Sequence, residues 1–171
     1  MAEIRAYGLE YIKVGDIGAG GAMGTSLSIL GVTYENTAEL IQDDPDITEI
    51  KSEENIEPEE IFEVEGTKRI NWSIMNYDPD EIVKVLGGTS TGTEPNKTWS
   101  SPITKEPIEL SIEFKTKTGH IVQIARAKIT AKLNWTIRKN GVALIEIQGR
   151  IMTPTDGTSS PIVVTNPAAS T

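Results

Sequence analysis

The segment Ile108–Met152, IELSIEFKTKTGHIVQIARAKITAKLNWTIRKNGVALIEIQGRIM, reads as three β-strands folded back and forth by two tight turns. In its middle strand, Ile121 to Ile137, apolar side chains take the odd positions Ile121, Ala125, Ala127, Ile129, Ala131, Leu133, Trp135 and Ile137. Arg126, Lys128, Thr130, Lys132, Asn134 and Thr136 take the even ones. A period of two marks a half-buried strand, with one face on a core and the other on water or a partner. The pattern breaks at the start of the strand, where Val122 and Ile124 are apolar and Gln123 is not.

Loop length decides the register, because a slip of one residue would reverse every side chain. A two-residue loop at Thr118-Gly119 pairs Ile112 with Ala125, Leu110 with Ala127 and Ile108 with Ile129, and sets Glu109 opposite Lys128. For the second turn, a three-residue loop with Gly141 in the left-handed region pairs Trp135 with Ile145, Leu133 with Ile147 and Ile129 with Ile151. The middle strand would then span roughly 55 Å, long for a small domain. It is expected to bend near Ala127–Ala131 and pass as a corner from one sheet to another.

Working outward, the run Ile70, Trp72, Ile74, alternating with Arg69, Asn71 and Ser73, predicts another strand. One helix is predicted over about 79–86. Asp78 suits the N-cap, Pro79 the first turn, Asp80 and Glu81 the positive end of the dipole, and Gly87-Gly88 the stop. Ile82, Val85 and Leu86 form its apolar stripe. Shorter strands are expected near Ser28–Tyr34 and Ile47–Glu53, the second with neither face strongly apolar. A polar loop, with Trp99 as plug or contact residue, is expected over Thr89–Pro107. The fold class is therefore mostly β, a two-sheet sandwich or barrel-like domain with one short flanking helix. Residues 1–25, rich in glycine, are expected to be a flexible arm, 26–154 the β domain, and 155–171 a Thr/Ser/Pro-rich mobile or docking tail.

The chain has 171 residues, no cysteine and a formal charge of −9, so disulfides and thiolate metal sites are excluded and wrapping of nucleic acid is disfavoured. No run approaches the ~18 apolar residues of a membrane span, and the acidic start at Glu3 does not resemble a secretory leader. The early glycines fail as a phosphate loop, since Met23 stands where the third glycine is required. The Asp43-Asp44-Pro45-Asp46 stretch fails as a calcium loop, with Asn55 in place of the bidentate glutamate. His120, the only histidine, is expected at the surface beside a turn, without a positioned partner for base catalysis. No catalytic, metal or cofactor residues are assigned, and the chain is read as a non-enzyme.

The order VTYENTAELIQDDPDITEIKSEENIEP, then GTKRINWSIMNYDPDEIVKVLGGT, then the three-strand segment, resembles the tail tube (major tail) proteins of tailed bacteriophages over about residues 27–154. SIMNYDPDEIVKVLGGT with its preceding acidic strand is the most specific part. The resemblance implies a virion structural subunit, assembled in the host cytoplasm, whose hexameric rings join sheets into a barrel and stack into a hollow tube. It implies as partners further copies of the chain, a tape-measure protein, a tail terminator and distal tail or hub proteins. DNA would transit the lumen without specific binding and no membrane would be involved. Tube proteins of contractile injection and type VI machines share the architecture.

Within that frame, Glu49, Glu53 and Asn71 are the expected lumen lining. Tyr34, Glu35, Asp43, Asp44 and Asp46 are the expected inter-subunit and inter-ring contacts. Six copies at −9 each would carry −54, a repulsive wall past which DNA slides if part of it faces the channel. A β-sandwich adhesin or glycan-binding module using Trp99 or Trp135 is the alternative from another class, disfavoured by an aromatic content of 5%.

Overall fold

A computed structural model of the chain describes residues 5–167. Residues 1–4 of the expected N-terminal arm and 168–171 of the expected C-terminal tail lie outside the described residues. The strands are β1 (Leu9–Asp16), β2 (Ser28–Ile29), β3 (Glu39–Gln42), β4 (Asp46–Ile50), β5 (Glu60–Val64), β6 (Lys68–Ile74), β7 (Thr89–Thr91), β8 (Thr98–Ser100), β9 (Ile108–Thr116), β10 (Ile121–Trp135), β11 (Ala143–Ile151) and β12 (Ile162–Thr165). The helix α1 spans Pro79–Leu86, between β6 and β7. The fold is mostly β with one short flanking helix. The large sheet is antiparallel, in the order β2-β1-β9-β10-β11-β6-β3, with β12 also pairing β10.

This sheet is rolled rather than flat. The segment Ser28–Tyr34 pairs with β1 at its start, where Leu30 N–H donates to the Ile12 carbonyl at 3.1 Å. At its end it pairs with β6, through the Thr33–Ile74 bridge and the Tyr34 N–H to the Ser73 carbonyl at 2.8 Å. One short stretch thus joins two strands that β9, β10 and β11 separate, and the sheet closes into a barrel. Ile12, Val14, Leu30, Trp72, Ile74, Ile112, Ile124, Ile145 and Ile147 fill the interior, each at most 2% exposed. A closed sheet of alternating strands buries one set of side chains and wets the other, which is why the period-two reading of β10 holds from Ala127 to Ala131, while Leu133 and Trp135 beyond it are exposed.

β10 is the spine, paired with β9, β11 and β12 along different parts of its 15 residues. The expected pairs Leu110–Ala127, Glu109–Lys128 and Ile108–Ile129 are present. Nearer the turn, however, Ile112 faces Ile124 rather than Ala125, and Lys115 faces Ile121. The difference is a β-bulge, in which Ser111 faces both Ala125 and Arg126. Below the bulge the buried side chains are Val122 and Ile124, and above it they are Ala127, Ile129 and Ala131. The broken alternation in the sequence is therefore the signature of the extra residue. The bend belongs at Ile124–Ala127, and β10 remains within one large sheet.

The second turn differs by two residues. Trp135 pairs with Ala143 and Leu133 with Ile145, leaving Thr136–Val142 as a seven-residue connection. Gly141 does not adopt positive φ; its N–H closes on the Arg138 carbonyl at 3.0 Å. Because the slip is even, the facing of side chains is unchanged.

Helix α1 forms as predicted. Asp78 Oδ1 accepts from Asp80 N–H at 3.0 Å, Ile82 and Val85 are buried, and Gly87 leaves the helix at φ 75°. The polar segment after it contains the small β7–β8 hairpin, and Trp99 there packs on the core and donates Nε1–H to the Gly87 carbonyl at 2.9 Å. Trp99 is thus a plug under the helix end.

The flexible-arm expectation is corrected over the described part of 1–25. β1 is a full strand of the barrel wall, with Ile12 and Val14 in the core. The glycines serve close packing instead: a Cβ on Gly24 would lie 2.1 Å from the Asp16 carbonyl oxygen. The C-terminal segment also docks, with Ile162–Thr165 pairing against Ile124–Ile121 of β10. The Gly20 carbonyl accepts from the Thr155 and Asp156 N–H groups at 2.8 and 3.0 Å, so the two ends of the domain are tied together.

Candidate functional interface

Two parts of the chain leave the barrel, and they leave from opposite ends. The first is the ribbon of β4 and β5. β3 pairs with β6 from Glu39–Asn71 to Gln42–Lys68, and β4 pairs with β5 from Asp46–Val64 to Ile50–Glu60. The register is the same in both, and the Asp43 N–H to Thr67 carbonyl bond at 2.9 Å falls between them in step. One long hairpin therefore starts on the barrel wall and continues past Lys68 for about 25 Å at the usual rise of a strand. At the exit point a Cβ on Gly66 would sit 1.8 Å from the Asp43 carbonyl oxygen, so only glycine lets the two strands cross there.

Every residue of β4 and β5 is exposed. Ile50, Phe62 and Val64 share one face of the ribbon and Ile47 and Ile61 the other. A two-stranded ribbon with wet apolar groups on both faces has no core of its own. Residues 46–65 hold nine acidic side chains and one lysine, a net −8 of the chain's −9. The barrel itself is nearly neutral.

The second projection is the far end of β10–β11. β11 lies antiparallel to β6, with Arg150 beside Arg69 and Ile145 beside Ile74. The ribbon departs past the Arg69 end, and the β10–β11 tip departs past the Ile74 end. At that tip Leu133, Trp135, Ile137 and Val142 are 42–88% exposed. Trp135 meets Tyr77 edge to face, with ring centroids 5.1 Å apart. Residues 132–142 carry Lys132, Arg138 and Lys139 and no acid. Lys132 pairs with Glu146 at 2.7 Å, while among the described residues Arg138 and Lys139 have no ion-pair partner.

The expected contact and lumen residues divide along these lines. Asp46 and Glu49 lie on the ribbon, Glu49 pairing with Lys51 at 2.9 Å, and Glu53 lies exposed in the loop beyond β4. Asp43 sits at the ribbon base, bound to Arg69 at 2.9 Å, with Asp44 exposed next to it. Tyr34 and Glu35 belong to the segment that crosses to β6. Asn71 lies in the barrel wall, with its Nδ2 donating to Glu39 Oε1 at 2.9 Å. Glu49 falls on the same side of the continuous hairpin as Asn71 by register but about 30 Å further along it, past the point where the ribbon leaves the wall, and Glu53 lies beyond the end of β4. The β10–β11 tip was not among the expected contacts. Its signal was in the sequence, in Ile137 and Val142 flanking Arg138-Lys139-Asn140-Gly141, but a short turn was assumed there.

No protein-family model matches the chain, and no curated protein matches it.

His120 is 7% exposed rather than at the surface, with Nδ1 3.0 Å from the Thr118 hydroxyl, which makes it a brace of its turn. A groove of about 830 Å³ lies between Tyr7–Ile12 of the β1 side and Gly31–Leu40 of the β3 side. Among the described residues no three His, Asp or Glu side chains converge as metal ligands. No described helix is long and apolar enough to cross a membrane.

Proposed function

We propose that this chain is a structural subunit of a phage tail tube, stacking as rings, six-membered by the resemblance, into a conduit for the genome. The observation that carries the reading is the β4–β5 ribbon. It is exposed on both faces, carries Ile50, Ile61 and Phe62 into water, and is too thin to be stable alone. β3 and the ribbon also leave strand edges unpaired, which a lone soluble domain would cover or keep short. A subunit that gains its last packing from neighbouring copies accounts for both.

In this reading the acidic charge belongs chiefly to contacts between copies, because it is concentrated on the ribbon. Of the expected lumen residues, Asn71 stays on the polar outer face of the barrel wall, across from Gln148 and near Thr130, which is the surface suited to face a channel. A tube protein of a contractile injection machine would obey the same physics. Negative-stain microscopy of the purified protein over rising concentration tests the reading. Rings or hollow filaments of phage-tail width are the expected result. A protein that stays monomeric, alone and with its tail partners, would overturn it.

A second reading draws on Trp135, half exposed at the hairpin tip, as a glycan platform. Its edge-to-face seating on Tyr77 leaves the tip crowded rather than flat. Iodide quenching of tryptophan fluorescence, unchanged by added glycans, is the result that favours the tube.

A further inference from the structure

The two projections are opposite in position and in charge, and both expose apolar side chains. The ribbon carries net −8 over residues 46–65 and presents Ile50, Phe62 and Val64 on one face. Among the described residues, Arg138 and Lys139 of the β10–β11 tip have no ion-pair partner, and the tip presents Trp135, Ile137 and Val142. A charged strand pair and a charged loop of the same sign would repel. These have opposite signs, with apolar centres that could be buried between them.

From this we infer that the acidic ribbon of one copy docks on the basic, apolar β10–β11 tip of a second copy. The inference rests on the tube reading and names its axial contact. Because the two patches differ, the contact is heterologous, and with the patches at opposite ends of the barrel it joins copies end to end, as stacking requires. It explains why the ribbon keeps nearly all of the net charge. Steering by the field and alignment of the two ends fall to the charges, and adhesion to the side chains between them.

Two charge-reversed variants test this, both altered only at exposed positions. In the first, Glu54→Lys, Glu57→Lys, Glu59→Lys, Glu60→Lys and Glu63→Lys take residues 46–65 from −8 to +2; in the second, Arg138→Glu and Lys139→Glu take residues 132–142 from +3 to −1. Circular dichroism checks that each keeps the barrel. Each variant alone is expected to raise the concentration needed for stacking at least about tenfold, since like charges then meet. An equimolar mixture is expected to stack again in alternation, because each inverted patch meets a complementary one. The chain has no cysteine, so Phe62→Cys with Ile137→Cys in one chain gives an independent readout. Mild oxidation of assembled protein is expected to give a ladder of disulfide-linked oligomers.

Wild-type protein that never assembles would overturn the tube reading and this contact with it. Wild-type and both variants stacking equally well would overturn the contact alone. Loss of stacking in the variants without recovery in the mixture, and without the disulfide ladder, would likewise overturn it.

Discussion

Ser111 shows how one hydroxyl holds the fold together at the bulge. It is fully buried, donates to the Ala125 carbonyl at 2.6 Å and accepts from Gly24 N–H at 2.8 Å. Ser111→Ala takes this partner from the buried Ala125 carbonyl and the half-buried Gly24 N–H and is expected to cost about 1–3 kcal/mol, read as a lower urea midpoint. Arg126, the other bulge residue, grips Glu109 with Nε and Nη2 at 2.7 and 2.9 Å. That contact holds the Glu109 carboxyl below the usual range. The Ser159 hydroxyl and N–H, with the Thr158 N–H, bring Asp156 down to about 2 in the turn ahead of β12. Both groups have depressed folded values, so their contribution is present above the unfolded values near 4 and is lost as pH falls. For Asp156 the loss falls between about 4 and about 2. An acid titration followed by circular dichroism is expected to move its midpoint to higher pH in Arg126→Ala and in Asp156→Asn.

At the scale of elements, the barrel and the ribbon have different stabilities. β1, β6, β9, β10 and β11 bury a continuous core, whereas β4 and β5 bury nothing. Hydrogen exchange of the monomer is therefore expected to show β10 amides opening only with global unfolding and β4–β5 amides exchanging with little protection. Assembly is expected to slow the ribbon amides selectively; equal slowing everywhere would speak against the ribbon as a contact. Gly66→Ala places a methyl against the Asp43 carbonyl and is expected to splay the ribbon at its base. The barrel should unfold within about 0.5 kcal/mol of wild type, as a site outside the core does, while assembly is lost. Sedimentation and urea denaturation on the same sample separate the two effects.

At the scale of the whole molecule, a nearly neutral barrel carries an acidic projection at one end and a basic one at the other. Such a polarised particle is expected to associate head to tail and to do so less readily as salt rises, because exposed charges are screened beyond about 8 Å at physiological ionic strength. Light scattering between low and high salt checks this, with the onset of stacking moving to higher protein concentration. A salt-independent onset would assign the association to apolar contact alone.

Local pattern was enough for the central strands β6, β9, β10 and β11, for the helix and its caps, and for the core-facing positions between Ala127 and Ala131. Each of these depends on neighbours two to four positions away, as in Asp78–Asp80 and the alternation from Ala125 to Trp135. It also recorded the bulge, as two apolar residues out of phase at Val122 and Ile124, though an out-of-phase pair does not say which strand holds the extra residue. Tertiary structure decided the rest. The glycine-rich start became a barrel strand because β9 offered it an edge, and glycine lets backbones approach. The turn at Thr136–Val142 lengthened because strand pairing ended at Trp135–Ala143. Which acids share a surface depends on the direction in which each hairpin leaves the rolled sheet. That direction is a property of the closed barrel and is absent from any local stretch of the chain.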